Sequence, residues 1–206
     1  MNIDQDLPVP PSAARNADPI RERLTAFLPG RLPASALVLD IASGVGHHSA
    51  VMAAALPQFI WQPSEIDAAS CAAIAARVAA LALPNLMPPV VLDTRQQPWP
   101  VQAADAVLCI NMIHISPWEA TLALLANAAA ILPAGGWLIT YGPYRFDGDF
   151  GADSNRAFDE NLRARDPAWG IRDVRDLAQA ADAVGLEHRE TWAMPANNHM
   201  LAFARS

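Results

Sequence analysis

Two acids flank a glycine turn in this sequence, an arrangement suited to holding a nucleoside. The segment Val38-Leu39-Asp40-Ile41-Ala42-Ser43-Gly44-Val45-Gly46 runs from an apolar stretch into a turn with glycine at alternate positions, then into a helical segment that begins at His47 and His48. Glycine there allows positive φ and lets a ligand approach main-chain N–H groups that a Cβ would cover. Glu65 stands about 20 residues beyond the turn, where an acid just past the second strand accepts both hydroxyls of a ribose in short charge-assisted bonds.

Two readings of this turn compete. A dinucleotide fold prefers a third glycine at position 49, where this chain has Ser49, and places a pyrophosphate on the helix N-terminus. A turn that binds S-adenosylmethionine carries an acid at the strand end, here Asp40, facing the positively charged amino-acid end of the cofactor. Ala42 then takes the place of a first glycine. Further along, Leu92-Asp93-Thr94 closes the third strand with an acid placed to accept a bond from an adenine amino group. The plainer role for Asp93 is a helix cap or turn aspartate.

A second cluster, Asn111-Met112-Ile113-His114-Ile115-Ser116-Pro117-Trp118, ends the fourth strand at the sheet edge where parallel folds put their chemistry. His114 titrates near neutrality and is the candidate general base, a role worth about 10²–10⁴-fold where a proton must leave. The alternative is a hydrogen-bonded positioning histidine. Asn111 and Trp118 either orient an acceptor or close the pocket around it. His47 and His48, being adjacent, point about 100° apart on a helix and do not share one metal ion easily. No H-x-x-x-H, C-x-x-C, nucleophile-elbow or Walker spacing is present, so no metal site is expected.

The elements that must position these residues alternate between short apolar runs and alanine-rich amphipathic stretches. Strands are expected at 36–41, 59–62, 86–92, 106–110 and 136–141, with closing strands at 186–192 and 199–204. Helices are expected at 17–28, 47–56, 67–83, 118–132, 155–165 and 174–184. Alternation implies parallel pairing through right-handed crossovers, and the short loop around Asn197-Asn198 allows an antiparallel final pair. The expectation is an open α/β sheet. At 206 residues, with 52% hydrophobic and 17% charged residues, the chain reads as one domain, with residues 1–11 as a proline-punctuated arm.

Composition also narrows the partners. A formal net charge of −7, with scattered arginines, argues against nucleic acid. No apolar stretch is long enough for a membrane span, and the first residues lack the basic and apolar regions of a secretory signal. The two cysteines, Cys71 and Cys109, sit in apolar runs as small hydrophobes, which fits a reducing cytoplasm.

Several longer strings are more distinctive than the turn. They are Ser12-Ala13-Ala14-Arg15-Asn16, Ile41 through His48, Trp61-Gln62-Pro63-Ser64, Asn111 through Trp118, and Tyr141-Gly142-Pro143-Tyr144. Others are Ser154-Asn155, Phe158-Asp159, Leu162 through Pro167, Trp169-Gly170 and Met194-Pro195-Ala196-Asn197-Asn198. Across nearly its whole length the chain resembles a methyltransferase-like family, a domain of unknown function that includes human methyltransferase-like protein 26.

That resemblance implies a Rossmann-like class I methyltransferase fold: a seven-stranded, mostly parallel sheet with an antiparallel last strand and helices on both faces. It further implies S-adenosylmethionine as cofactor and S-adenosylhomocysteine as product. The cofactor set is then Asp40, Ala42, Ser43, Gly44, Gly46, His48, Glu65, Asp93, Thr94 and Asn111. Arg15, Asn16, Met112, Trp118, Tyr144, Asn155, Asn197 and Asn198 would form the substrate pocket. Arg15 and Asn16 would fold over it from the arm, unless Asn16 caps a helix instead. Asn155, Asp159 and Arg163, spaced i, i+4, i+8, form either a polar lid or an exposed ladder.

The function expected is methyl transfer to a small-molecule acceptor, by a protein compatible with a homodimer. Two rivals stand beside it: an NAD(P)-dependent oxidoreductase using the same turn, and a non-catalytic cofactor-binding protein.

Overall fold

The computed structural model describes residues 7–206. Its main sheet is seven-stranded, in the order β3-β2-β1-β4-β5-β9-β8. The chain forms two compact units: one comprises the chain up to Asp93 together with Pro100–Leu108, the other Thr94–Trp99 with Cys109–Ser206.

The first unit opens with α1 (Pro11–Phe27), followed by β1 (Leu37–Ile41), α2 (His47–Ala55), β2 (Ile60–Glu65), α3 (Ala68–Leu81) and β3 (Val90–Val91). Helix α1 starts six residues before the expected Ala17, because Pro11 at its first position has φ already set for a helix and no N–H to leave unsatisfied. Arg15 and Asn16 are therefore helical residues, not part of an arm, and the cap position is held by Pro10 rather than by Asn16. Helix α3 is fixed at its start by Asp67, whose carboxylate accepts the Ser70 N–H at 2.8 Å, and ends at Ala82 in a left-handed conformation.

Strand β1 pairs in parallel with β2 from Leu37↔Ile60 to Asp40↔Pro63, and β2 with β3 at Ser64↔Val90 and Glu65↔Val91. Two sequence expectations are corrected here. Strand β2 continues past Gln62 to include Glu65, and β3 shrinks from the expected 86–92 to two residues. Pro88 and Pro89 lack the N–H that a ladder needs, so Leu86 survives only as an isolated bridge to Trp61. The core of this unit is Ile20, Leu24, Leu39, Ile41, Met52, Trp61 and Ile74, all essentially excluded from water, each worth about 1.5–3 kcal/mol of apolar burial.

Strand β4 (Ala106–Ile110) is buried along its length and runs from the first unit into the second. The second unit continues with a 3₁₀ turn (Ile113–Ile115), α4 (Trp118–Ile131), β5 (Trp137–Gly142), β6 (Tyr144–Arg145), α5 (Asp153–Arg165), β7 (Arg172–Asp173), α6 (Val174–Asp182), β8 (Leu186–Met194) and β9 (Asn198–Arg205). Strand β9 is antiparallel to β5 and to β8, with Thr140↔Leu201 and Thr191↔Leu201 among the paired residues. The β8–β9 turn places Ala196 at φ 56° and Asn197 at φ 57°, the consecutive positive angles that tight hairpins require. A second, two-stranded parallel sheet joins β6 to β7 through Tyr144↔Arg172 and Arg145↔Asp173. Strands of two residues carry no period, so this sheet left no trace in the sequence pattern. No helix among the described residues is long and apolar enough to cross a membrane.

Candidate functional site

The first unit holds the glycine turn between β1 and α2. Ala42, Gly44 and Gly46 all take left-handed angles, with φ of 55°, 61° and 74°. Glycine is demanded at 46 on two counts: its φ, and the 3.0 Å that would separate a Cβ there from Ile74 Cγ2. At Gly44 nothing lies within 4 Å of where a Cβ would be, so the turn faces open space.

Serine hydroxyls stitch the turn to β2. Ser43 Oγ and Ser64 Oγ both donate to the Asp40 carbonyl, at 2.9 and 2.8 Å, and the Ser64 N–H donates to Ser43 Oγ at 3.1 Å. Glu65, at the end of β2, turns its carboxylate onto the same turn: Oε1 accepts the Gly44 N–H at 2.9 Å and Oε2 accepts the Ile66 N–H at 2.8 Å.

Beneath the turn lies Asp40, 1% exposed. Ser49 donates to its carboxylate, so the residue standing where a dinucleotide fold prefers glycine is committed to the acid. Burial pushes the Asp40 carboxyl up to about 6, and the Glu65 charge adds to that; the serine hydroxyls pull the other way. Arg77 of α3 is buried too and donates from Nε to the Val45 carbonyl at 2.9 Å and from Nη2 to the Pro8 carbonyl at 3.1 Å. Sequence reasoning passed over it, because an arginine in an alanine-rich helix looks like a solvated residue.

His48 of α2 meets Asn16 of α1, Nε2 to Oδ1 at 2.8 Å. Burial first, then the neighbouring His47, lowers His48 to about 4, so it is neutral at pH 7. Arg15 is exposed on α1. Asp93 is half-buried after β3, next to Leu92, whose N–H donates to the Glu65 carbonyl at 2.8 Å. Asp40, Ser43, Gly44 and Glu65 thus form one hydrogen-bonded group, and Asn16 with His48 a second.

In the second unit, Asn111 follows β4 at φ 61°, its N–H donating to the Tyr141 carbonyl at 2.8 Å. His114 sits in the 3₁₀ turn, 5% exposed, with the Phe158 ring edge-on at 5.6 Å. Among the described residues its imidazole makes no hydrogen bond, unlike a positioning histidine. Burial, then the positive charge of Arg172, lowers it to about 4. Gly142 at the end of β5 makes this placement possible: a Cβ there would lie 3.1 Å from His114 Nδ1 and 3.7 Å from Asn111 Oδ1. A glycine closing a strand just before proline was the signal available for it. Met112 and Trp118, both half-buried, flank the histidine turn.

The remaining expected residues make hydrogen bonds within the second unit. Thr94 is buried and its carbonyl accepts from Trp99 Nε1 at 3.2 Å and Asn127 Nδ2 at 2.9 Å. Tyr144, expected in a substrate pocket, is packed in the interior, where its hydroxyl donates to Thr140 Oγ1 at 2.8 Å and burial drives its ionisation well upward.

Asn155 is buried and donates from Nδ2 to the carbonyls of Phe150 and Asn197, at 3.2 and 3.1 Å. Asn197 reaches Ser154 Oγ at 3.2 Å, and Asn198 donates to Pro195 and Ala196 within its own hairpin. Asp159 is no exposed ladder residue: it accepts from Arg163 Nε at 2.8 Å and from the Ile171 N–H at 2.6 Å, tying α5 to the segment before β7.

Residues 8–205 match a family described as protein of unknown function (DUF938). The chain belongs to the DUF938 family. In structure this DUF938 protein is similar to an O-methyltransferase family 2 protein from Planctomyces limnophilus in complex with apigenin, at 18% identity and a TM-score of 0.79 over 95% of this chain and 60% of that one. It is similar too to human N-acetylserotonin methyltransferase in complex with SAM, at 12% identity and a TM-score of 0.75 over 95% of this chain and 53% of that one. A third likeness is to CalO1, a methyltransferase in calicheamicin biosynthesis in its SAH-bound form, at 19% identity and a TM-score of 0.73 over 95% and 54%. The chain thus spans between about half and three-fifths of these solved chains. At such identities the likeness establishes the fold, a Rossmann-like methyltransferase sheet with one antiparallel strand.

Proposed function

We propose that this DUF938 protein binds S-adenosylmethionine at the glycine turn of its first unit and transfers the methyl group to a small acceptor. The observation carrying the reading is the Glu65 carboxylate on the Gly44 N–H, at the end of the strand next to β1, with open space over the glycine. A carboxylate so placed grips a vicinal diol, and the donor set fits an adenosyl sulfonium rather than a pyrophosphate. It consists of acids, the main chain of Ala42, Ser43 and Gly44, and a neutral His48. When bound, the cofactor supplies the methyl group and its own leaving group for an in-line displacement.

The chain's own work is then binding and orientation. Glu65 accepts the ribose hydroxyls, Asp93 accepts from the adenine amino group, and Asp40 faces the positive amino-acid end. A cation near Asp40 favours its ionised form and offsets the burial that raises it. On the acceptor side, Met112 and Trp118 of the second unit are the proposed wall, with Asn155 and Asn197 as the remaining candidates there. His114, neutral and without a hydrogen-bond partner among the described residues, takes the acceptor's proton. With its basicity lowered to about 4, it accepts the proton as the new bond to the methyl carbon forms, when the acceptor's proton becomes strongly acidic.

Calorimetric titration tests the reading: saturable binding of S-adenosylmethionine and S-adenosylhomocysteine is expected, weakened about tenfold or more in Glu65→Gln. A folded protein that ignores both at millimolar concentration overturns it. Release of S-adenosylhomocysteine with a panel of small phenols and carboxylic acids then tests the transfer itself.

A further inference from the structure

The second unit contains a cavity of about 260 Å³ that none of the residues assigned to cofactor binding lines. Three guanidinium groups reach it, those of Arg145, Arg163 and Arg172, together with Trp118 and Ile171; Asp173 and Asp176 stand on its wall. Among the described residues neither of these two carboxylates pairs with one of the three guanidinium groups. Asp173 is occupied in capping α6, with one oxygen on the Arg175 N–H at 3.0 Å and the other on the Gly148 N–H at 2.7 Å. Asp176 is exposed and lies 3.9 Å from Arg175.

Of the arginines, Arg163 is paired with Asp159 through Nε alone, at 2.8 Å. Arg172 is fixed in place by carbonyls, Nη2 donating to Ser116 and Ala168 at 2.7 and 2.8 Å. Arg145 is the exception. Among the described residues it makes no hydrogen bond or ion pair, its Nε is buried without a partner, and its only contact of note is the Phe150 ring at 5.4 Å. Burial first, and then the charges of Arg163 and Arg145, make the Arg172 cation less favourable, while Asp159 and Glu119 act the other way. An anion bound in the hollow offsets the repulsion between the arginines.

We propose that this cavity is a receptor for a small, flat organic carboxylate. The guanidinium of Arg145 takes the carboxylate, which matches its planar fork. Arg163 and Arg172 supply further positive charge, and Trp118, with the Arg172 guanidinium 5.7 Å over its ring, forms the aromatic wall of the cavity. The volume lies just under the ~300–1,000 Å³ of sites for drug-sized ligands, which suits a single ring bearing one acid group. The inference needs no cofactor, shares Trp118 with the acceptor side proposed above, and is tested without S-adenosylmethionine so that the two readings fail separately.

The test is a titration of the whole protein, without S-adenosylmethionine, with benzoate, benzamide and inorganic phosphate, followed by calorimetry and by ligand-observed NMR. Benzoate is expected to bind saturably, and benzamide and phosphate at least tenfold more weakly. Arg145→Met should weaken benzoate about tenfold with its melting temperature kept or raised, since the change removes a buried N–H that has no partner; Trp118→Leu should weaken benzoate without changing phosphate. No saturable benzoate binding overturns the proposal. So does equal binding by Arg145→Met, or by benzamide, and phosphate binding as tight as benzoate removes the flat carboxylate from it.

Discussion

Replacing Asp40 with asparagine should stabilise the protein and weaken its cofactor binding at once. The carboxyl is buried and pushed up from 3.8 to about 6. Its contribution to stability is therefore complete below the unfolded value and lost as pH rises through the folded one. At about 1.4 kcal/mol per unit, a shift of roughly two units means that ionised Asp40 costs the fold up to about 3 kcal/mol at pH 8.

Asparagine removes that cost and keeps an oxygen for the Ser49 hydroxyl, while its amide N–H₂ must settle among oxygens near Ser43. Allowing for that adjustment, a net gain of about 1–2 kcal/mol is expected, or roughly 2–8 °C in Tm for a chain of this size. Denaturant melts of both proteins at pH 4 and pH 8 measure it. The advantage of the variant should shrink to under about 1 kcal/mol at pH 4, where the folded wild-type acid is already protonated. Affinity for S-adenosylmethionine should fall about tenfold at pH 8. A variant no more stable than wild type at pH 8, or an advantage that does not grow with pH, refutes the assignment of a buried, costly charge. Unchanged affinity removes Asp40 from the cofactor site.

Ala42→Gly relieves a left-handed alanine at φ 55°; against a steric cost of about 1–2 kcal/mol and a loss of about 0.4–1 to unfolded-state entropy, a gain of about 0.5–1 kcal/mol is expected in urea melts. Gly142→Ala forces the His114 imidazole off its place, since the added carbon would sit 3.1 Å from Nδ1, and should cut methyl transfer far more than cofactor binding, measured by turnover against calorimetry. His114 is held near 4 against 6.5 in the unfolded chain, so its share of stability is present above pH 6.5 and lost as pH falls toward 4. His114→Gln should flatten that loss by up to about 3 kcal/mol, read from melts at pH 7 and pH 4.5.

The alternation of apolar runs and helical stretches carried the order of the main elements, because buried parallel strands and amphipathic helices leave opposite periods in a sequence. The turn from Asp40 to Gly46 was legible for a related reason: positive φ restricts residue choice to a few types. What escaped was set by contacts distant in the chain. Prolines 88 and 89 cut β3 to two residues, and the bond that places Glu65 on Gly44 is a tertiary fact. Arg77, buried in a helix of alanines, has no local signature. Tyr144 was read as a pocket residue because its neighbours were unusual, yet its hydroxyl is satisfied by Thr140 four residues away. Arg145 and Arg172 come together through a ladder of two-residue strands, too short for any pattern to announce.

The place of β9 has a consequence for how the chain is made. It lies between β5 and β8, both of which are synthesised before it, so each emerges with a bare hydrogen-bonding edge that nothing can cover until the later segment arrives. Bare edges are templates for pairing with other chains. A copy that lacks residues 198–205 is thus the one most exposed to self-association, and a lesion that shortens that stretch should be felt first as aggregation rather than as lost activity.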